Sequence, residues 1–347
     1  MLRAAWLTYR MHRFEVVISA LLMAVLAVSV LIVTSHLMDL NIPDTCWQSS
    51  REGGFEATGC AEPMERFWDI VGSEAGYAKA GLGLLAPIVG LILGVPIVAR
   101  EVELRTTSLA WSLALHRGRW LLSRLLPMLA LATAGFVILG WVGSGLFQAM
   151  EVGRASPSLT EVASQGPTLV ARGLMALGVA VFIGAVLGRT MPAFLIAAVA
   201  VIGWSLIGVS TVQQSMFADR AVWTNDENGW RDGMGPIGYV EGGDFDTSKP
   251  GVDGEPGARF DYEGFHRQQV ELCGSPPEDA EDGESPEWLS WQTCAEQLPY
   301  PENMYWNKVV PAATYPDFQL AELAVNAGIG GAAFLLTFPV VARRRPS

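Results

Sequence analysis

Six stretches of predominantly apolar residues alternate with polar segments along the chain. Each is long enough to cross roughly 30 Å of hydrocarbon as an α-helix that rises about 1.5 Å per residue. The predicted spans are residues 16–37, 78–99, 125–150, 169–187, 191–211 and 318–341. Only Gly188, Arg189 and Thr190 separate spans 4 and 5, which predicts a tight helical hairpin. The pattern therefore predicts an all-α polytopic membrane protein with six transmembrane helices.

Composition supports this class. The 347 residues are 50% hydrophobic and only 17% charged, with a mean hydropathy of +0.30. A soluble domain has about 25% charged residues. The net charge of −12 argues against a nucleic-acid partner and leaves membrane lipid as the expected surroundings.

Residues 1–14 are basic and amphipathic. Leu2, Trp6 and Tyr9 share one helical face, and three arginines lie largely elsewhere. This pattern indicates a helix that lies on the membrane surface before the first span. The alternative is the basic region of a signal peptide. The surface helix is favoured, because the following run has span length and no A-x-A cleavage site follows it.

Arginine positions predict the orientation. The basic segments are residues 1–14, residues 100–124, the turn at Arg189 and the tail that ends at residues 343–345. They alternate so that all four share one side, which the positive-inside pattern assigns to the cytoplasm of a multi-pass plasma-membrane protein. Both termini are then cytoplasmic. The transmembrane region with spans 1–5 covers residues 15–211, and residues 317–347 form span 6 and the basic tail.

Residues 212–316 form a predicted extracytoplasmic insertion between spans 5 and 6. They carry 20 Asp and Glu against 6 Lys and Arg. Residues 233–257 are interpreted as turns and loops, and residues 288–298 as a short helix. The acids around Asp244 and Asp246 suit Ca²⁺ in principle, but no EF-hand spacing is present, so a solvated acidic surface is favoured.

All four cysteines fall in predicted outer segments, where disulfides are permitted. Four cysteines allow three connectivities. We expect Cys46–Cys60 and Cys273–Cys294, because each pair closes a short local loop; four free thiols are the alternative. Neither a C-x-x-C motif nor clustered histidines suggest a metal site.

Motifs for ATP binding and for catalysis are missing from the chain. None of the three lysines follows a glycine, so the sequence has no Walker A motif. No nucleophile elbow, paired carboxylates or histidine cluster lies near a span on one predicted side. The sequence therefore does not favour an enzyme, and no cofactor is expected on this chain.

Residues 99–126 read AREVELRTTSLAWSLALHRGRWLLSRLL and connect spans 2 and 3. A positive-inside loop with membrane-surface tryptophans accounts for the arginines and for Trp111 and Trp120. It does not account for Glu101 and Glu103, two carboxylates at the end of a span in a basic loop.

This stretch resembles ABC-2 type transporter permeases, especially the actinobacterial kind. The family pattern is approximately ARE-x-E-x-G-T-x-x-x-A-W followed by a basic position and R-W. Arg105 replaces the usual glycine. The matching residues are Ala99, Arg100, Glu101, Glu103, Thr106, Ala110, Trp111, Arg117, Arg119, Trp120 and Arg124.

The resemblance implies a permease subunit that pairs with a second permease, as a homodimer or heterodimer, and with two cytoplasmic ATPase subunits that bind ATP and Mg²⁺. It also implies export and a coupling element that contacts the ATPase. The expected coupling residues are Arg100, Glu101, Glu103, Thr106, Trp111, Arg117, Arg119 and Trp120.

The same resemblance implies that spans 2 and 5 line a translocation path. The candidate residues are Pro87, Gly90, Gly94, Trp204, Ser205 and Ser210. Packing of small residues between helices is an equally good explanation for each of them. Arg172 and Glu322 are charged groups near the outer ends of spans 4 and 6. They are interpreted as a structural ion pair or as side chains that reach the headgroups, ahead of a transport role.

Two other functions remain as alternatives. A membrane-anchored receptor or scaffold would present the acidic outer region to a partner and would need no ATPase. An ion-coupled secondary transporter would need ionisable residues at mid-membrane and repeated halves, and neither is evident. A P-loop protein encoded beside this chain would favour the ABC permease.

Overall fold

The computed structural model describes residues 10–43, 45–47, 59–104, 117–151, 165–208, 211, 215, 220, 222–224, 241–244, 262–275, 286–296, 305–309 and 314–344. The chain divides into two compact units. One comprises Met1–Asp219 and Ala312–Ser347, and the other is Arg220–Pro311.

The longer helices of the described residues are, in chain order, α1 Arg13–Asp39, α2 Ala61–Gly72, α3 Glu74–Glu103, α4 Arg117–Glu151, α5 Gly166–Leu187, α6 Thr190–Gly203, α7 Tyr262–Cys273, α8 Pro286–Glu296 and α9 Tyr315–Arg343. A π-helical turn, Trp204–Gly208, continues α6. Among the described residues six helical stretches are long and apolar enough to cross a membrane, which confirms the predicted number of spans.

Several helices extend beyond the apolar runs that predicted them. Helix α3 begins at Glu74, four residues before the predicted span, and α4 begins at Arg117, eight residues before its span. Hydropathy detects only the part of a helix that suits hydrocarbon, whereas the hydrogen-bonded helix continues into the polar boundary. The predicted hairpin between α5 and α6 is present, and Gly188 ends α5 with a left-handed φ of 63°.

Helix α5 lies at the centre of the first unit and packs against α3, α4, α6 and α9. Small residues allow the close approach of these helices. A Cβ added to Gly178 would lie 2.6 Å from the carbonyl oxygen of Gly330 in α9. Such contacts between small residues drive helix association where lipid removes the hydrophobic driving force.

The outward faces of the bundle are strongly apolar. Leu21 on α1 is 61% exposed, and Val199 on α6 is 73% exposed. Large contiguous apolar surface is rare on soluble monomers. The outward faces therefore suit contact with lipid or with another membrane subunit.

Helix α2 lies in the connection between predicted spans 1 and 2, for which the sequence predicted no secondary structure. Met64, Phe67 and Val71 form its buried face. The Cys46–Cys60 disulfide precedes it, and Trp47 contacts Phe67 edge to face at 5.0 Å between ring centroids. The disulfide confirms the predicted pairing.

The second unit contains a small antiparallel sheet of strands β1 Val222–Thr224, β2 Glu241–Asp244 and β3 Tyr305–Val309, in the order β1-β3-β2. The six spans are helical as predicted, but the interpretation of residues 241–244 as turns and loops is wrong, because they form a strand. Glycine and acidic residues are poor strand formers, and pairing with β3 overrides that local preference. The register places Glu241 opposite Lys308.

The helices of the second unit are joined covalently. Cys273 at the end of α7 bonds to Cys294 in α8, which confirms the second predicted disulfide. Trp288 stacks on Trp291, and the Trp291 indole N–H donates to the carbonyl oxygen of Gly274 at 2.8 Å. The short helix predicted at residues 288–298 corresponds to α8.

Most of the amphipathic segment 1–14 lies outside the described residues.

Candidate functional site

Charged side chains join several helix ends at one end of the six-span bundle. Helix α3 ends there, and α1, α4 and α6 begin there. We call this group the Arg–Glu cluster, and it consists of Glu15, Arg100, Glu101, Glu103 and Arg124.

Two ion pairs attach the end of α3 to its neighbours. Arg100 Nη1 lies 2.8 Å from Glu15 Oε1 on α1. Glu101 Oε1 lies 3.3 Å from Arg124 Nε on α4, and these side chains are only 4% and 12% exposed. A carboxylate buried to this degree requires its cationic partner, because removing one member of a buried pair leaves an uncompensated charge.

Glu103 makes different contacts from Glu101. Its Oε2 accepts hydrogen bonds from the backbone N–H of Thr190, at 2.9 Å, and from the Thr190 hydroxyl, at 2.7 Å. Thr190 is the first residue of α6. The first N–H groups of a helix lack partners within it, and a carboxylate there also favours the helix dipole. Glu103 thus caps α6 from the end of α3.

Arg117 attaches the beginning of α4 to the end of α9. Its Nη1 donates to the carbonyl oxygens of Ala342 and Arg344, both at 2.7 Å. Arg344 in turn donates from Nη2 to the carbonyl oxygen of Val186 near the end of α5, at 3.2 Å. Guanidinium groups therefore satisfy the unpaired carbonyls at two helix ends.

Two groups at this end were not singled out by the sequence analysis, namely His12 and Glu15. His12 is 3% exposed and precedes α1. Burial lowers the pKa of the His12 imidazole, Arg124 and Arg100 lower it further, and Glu15 acts in the opposite direction. The ring is therefore uncharged at neutral pH. A histidine in a basic amphipathic segment gives no sequence signal for this packing.

The expected coupling residues fall into three groups. The first group contacts other helices through the bonds described above and consists of Arg100, Glu101, Glu103 and Arg117. Trp120 is 9% exposed and belongs to the core, whereas Arg119 is exposed. Thr106 and Trp111 lie outside the described residues.

A cavity of about 690 Å³ lies between α3 and α6. Pro87 on α3 and Ser205 on the π-helical turn both line it. Lys79 and Arg172 are the charged residues of its lining. The structure therefore brings two of the candidate path residues to one cavity.

Comparison with known families decides the class of protein. The sequence model of the family described as "ABC-2 membrane transporter related" matches residues 19–213. The chain belongs to this family. The match covers most of α1 and all of α2 to α6, and with them Arg100, Glu101, Glu103 and Arg124. No curated protein and no solved structure matches the chain.

In this ABC-2 family member, the other path candidates are not all at the cavity. Gly90 and Gly94 face α5 instead. A Cβ on Gly90 would lie 2.5 Å from the carbonyl oxygen of Gly173, and one on Gly94 would lie 2.7 Å from Ala180 Cβ. Close helix packing explains both glycines. Ser210 lies outside the described residues.

Arg172 and Glu322 form an ion pair between α5 and α9 of this family member, and their side chains are 12% and 8% exposed. Asn326, one turn along α9, donates to the carbonyl oxygen of Glu322 at 2.8 Å. The Asn326 amide oxygen accepts a hydrogen bond from the Trp204 indole N–H at 3.0 Å. This polar network joins α5, α9 and the turn after α6. It gives Trp204 a structural partner.

Proposed function

We propose that the chain is the membrane permease subunit of an ATP-driven exporter. Separate cytoplasmic ATPase subunits dock on segment 100–120 and carry ATP and Mg²⁺. Family membership supports a transport subunit and implies ABC ATPase partners. The observation that carries the docking proposal is the Arg–Glu cluster, which connects the end of α3 directly to three other spans.

The cluster suits the transmission of movement. A force applied after Glu103 acts on α3 through the chain itself, on α1 through Glu15, and on α4 through Arg124. The cap on Thr190 extends this connection to α6. Rigid-body rotation of connected helices is a common way to pass a change at one site to another. We therefore expect ATP-driven closure of the ATPases to tilt these spans and alternate access to the path.

The proposed topology places the Arg–Glu cluster on the cytoplasmic side of the plasma membrane, together with both termini. The abundance of arginine at this end supports the assignment. A second permease subunit completes the transporter, and the exposed apolar faces of α1 and α6 are suitable surfaces for it.

The experiment is purification of the chain from its native membrane, a test for a co-purifying ABC ATPase, and ATP hydrolysis measured on the reconstituted complex. We expect Glu103→Ala and Trp111→Ala to insert into the membrane at wild-type levels and to lose permease-dependent ATP hydrolysis. Glu103 is exposed, so we expect loss of its cap to leave the bundle folded. Glu65→Ala is the matched control, because Glu65 is an exposed carboxylate on α2.

Two results would contradict the proposal. One is a wild-type chain that never co-purifies with an ATPase, which would favour the receptor or scaffold. The other is normal permease-dependent ATP hydrolysis in Glu103→Ala, which would remove the Arg–Glu cluster from coupling.

A further inference from the structure

A row of buried polar atoms follows one face of α1 at the end that carries the Arg–Glu cluster. Nε2 of His12, Oε2 of Glu15 and Oγ of Ser19 have no hydrogen-bond partner among the described residues. His12 is 3% exposed and Ser19 is fully buried. Residues three and four positions apart share a helix face, and that of α1 packs against α3 and α4. Buried polar atoms without partners are rare in folded proteins, so this row requires an explanation.

The helical geometry begins at His12 itself. Its carbonyl oxygen accepts a hydrogen bond from the backbone N–H of Val16 at 3.0 Å. The imidazole therefore stands one turn before Glu15 on the same face, with a fixed position relative to the Arg100–Glu15 ion pair.

Charged groups of three helices act on the His12 ring. Glu15 belongs to α1, Arg100 to α3 and Arg124 to α4. Glu101 of α3 is at the same end and pairs with Arg124. Burial and the two arginines oppose a positive charge on the ring, and Glu15 favours it. One oxygen of Glu15 is already engaged by Arg100 at 2.8 Å. The closed ion pair therefore keeps the imidazole uncharged.

Two further basic residues lie close to His12 in the sequence. Arg10 and Arg13 are both exposed. Water and salt screen charges at exposed positions more than charges inside the bundle, so these two act less on the buried ring.

A movement that separates the end of α3 from α1 changes the charge balance at His12. It takes the Arg100 guanidinium away from the ring, releases Glu15 from its ion pair and admits water. Each of these changes favours the imidazolium. Coupling between two equilibria is reciprocal, so a movement that increases proton affinity is itself promoted by acid.

We propose that His12 is a proton-binding site that makes the contact between α1 and α3 depend on cytoplasmic pH. The contact is the Arg100–Glu15 ion pair. Above the ordinary histidine pKa of about 6.5, the ring is uncharged and the pair stays closed. Below that pH, proton uptake favours the separated arrangement and weakens the pair. Regulation of the transporter by this site rests on the proposed function, whereas the site itself belongs to the chain alone.

The direction of the pH effect follows from proton linkage. Burial lowers the pKa of the His12 imidazole in the folded chain, so the unfolded chain takes up the proton first as the pH falls. The stability that uncharged His12 contributes is complete above pH about 6.5 and decreases as the pH falls below that value.

The first experiment follows hydrogen–deuterium exchange at the imidazole C–H groups of the full chain in a non-ionic detergent, by mass spectrometry at each pH. The exchange rate depends on the protonation of each ring, and exposed His266 on α7 is the reference in the same sample. We expect His12 to titrate at a lower pH than His266, and Arg100→Gln to raise the His12 midpoint. Equal midpoints for His12 and His266, or no effect of Arg100→Gln, would overturn the proposal.

The second experiment compares thermal unfolding at about pH 8 and about pH 5.5, on either side of the ordinary histidine pKa. His12→Gln keeps a polar side chain that carries no charge at either pH, and His266→Gln is the matched control. The wild type and His266→Gln should lose more stability on acidification than His12→Gln. Equal losses in all three would contradict the proposal. The exchange measurement needs no substitution at His12, so it decides the proposal independently of how well His12→Gln folds.

ATP hydrolysis by the assembled complex tests the regulation. Permease-dependent hydrolysis should decrease more steeply with acid in the wild type than in His12→Gln, and the two should agree at about pH 8, where both side chains are uncharged. Equal acid sensitivity, with His12 titrating as expected, would overturn the regulation alone. A chain that shows the His12 titration but has no ATPase partner would overturn the exporter and support the proton site.

Discussion

The glutamates at the end of α3 differ in their surroundings although they are two residues apart. Glu101 is 3% exposed and pairs with Arg124, whereas Glu103 is exposed and caps α6. Side chains two residues apart on a helix point in different directions, so each carboxylate reaches a different helix. Their presence in a basic loop follows from these two contacts within the bundle.

The Arg172–Glu322 pair provides a prediction at the residue scale. Arg172→Gln leaves the Glu322 carboxylate buried without its partner, which costs about 3–5 kcal/mol. We expect either Arg172→Gln or Glu322→Gln to lose most expression, and the double variant Arg172→Glu with Glu322→Arg to recover it. The measurement is the amount of folded protein in fluorescence-detected size-exclusion chromatography.

The exposed pair of Glu62 and Arg66 is the control for this prediction. Its side chains are 80% and 68% exposed, and ion pairs exposed to solvent contribute little to the stability of the folded protein. Arg66→Gln should therefore express normally. A charge-swapped Arg172/Glu322 variant that expresses as poorly as the single variants would show that the individual positions matter more than the pairing.

At the scale of elements, α5 is the central helix against which α3, α4, α6 and α9 pack. Its glycines and alanines meet α3 on one side and α9 on the other. Each of these helices has small residues at the contact, so the backbones approach closely. The outer helices α1 and α6 lack comparable burial and present apolar side chains outward.

Gly94 and Gly76 on α3 provide a matched pair of variants. A Cβ on Gly94 would lie 2.7 Å both from Ala180 Cβ and from the carbonyl oxygen of Leu177, whereas one on Gly76 would meet nothing within 4 Å. Gly94→Ala should destabilise the protein by about 1–3 kcal/mol through overpacking. Gly76→Ala should stabilise it by about 0.5–1 kcal/mol, because alanine is the better helix former.

Thermal unfolding in detergent measures both effects. A lower unfolding temperature for Gly94→Ala with an unchanged or higher one for Gly76→Ala would support close packing of α3 against α5. Equal shifts in the two variants would contradict it.

At the scale of the whole molecule, the ends of the six spans alternate between two ends of the bundle. The contacts of Arg100, Glu103, Arg117 and Arg344 bring one end of every span to the same place. The arginine distribution predicts that this end faces the cytoplasm, because orientation depends on the membrane and its insertion machinery as well as on the fold.

Cysteine labelling tests this orientation. The native cysteines Cys46, Cys60, Cys273 and Cys294 are all in disulfides, so an added cysteine is distinguishable. A membrane-impermeant maleimide should label Glu65→Cys in intact cells and Arg119→Cys only after permeabilisation, since both native positions are exposed and they lie at opposite ends of the bundle. The reverse pattern would invert the proposed topology.

The amino-acid sequence by itself determined the number of spans, the short hairpin at Gly188 and both disulfide pairs. These features depend on apolar run length and on short loops, which are local properties. Local pattern did not reveal α2 or the strand at 241–244. An amphipathic helix in a connection resembles a loop by hydropathy, and a glycine-rich strand depends on its partner.

The tertiary structure decided what the charged and small residues do. It separated Gly90 and Gly94, which pack on α5, from Pro87 and Ser205, which line the α3–α6 cavity. It also placed Glu15 beside Arg100 and Thr190 beside Glu103, pairs that are 85 and 87 residues apart in the chain. Contacts at such separations depend on how the helices are arranged, because helical periodicity relates only residues within a few turns of one another.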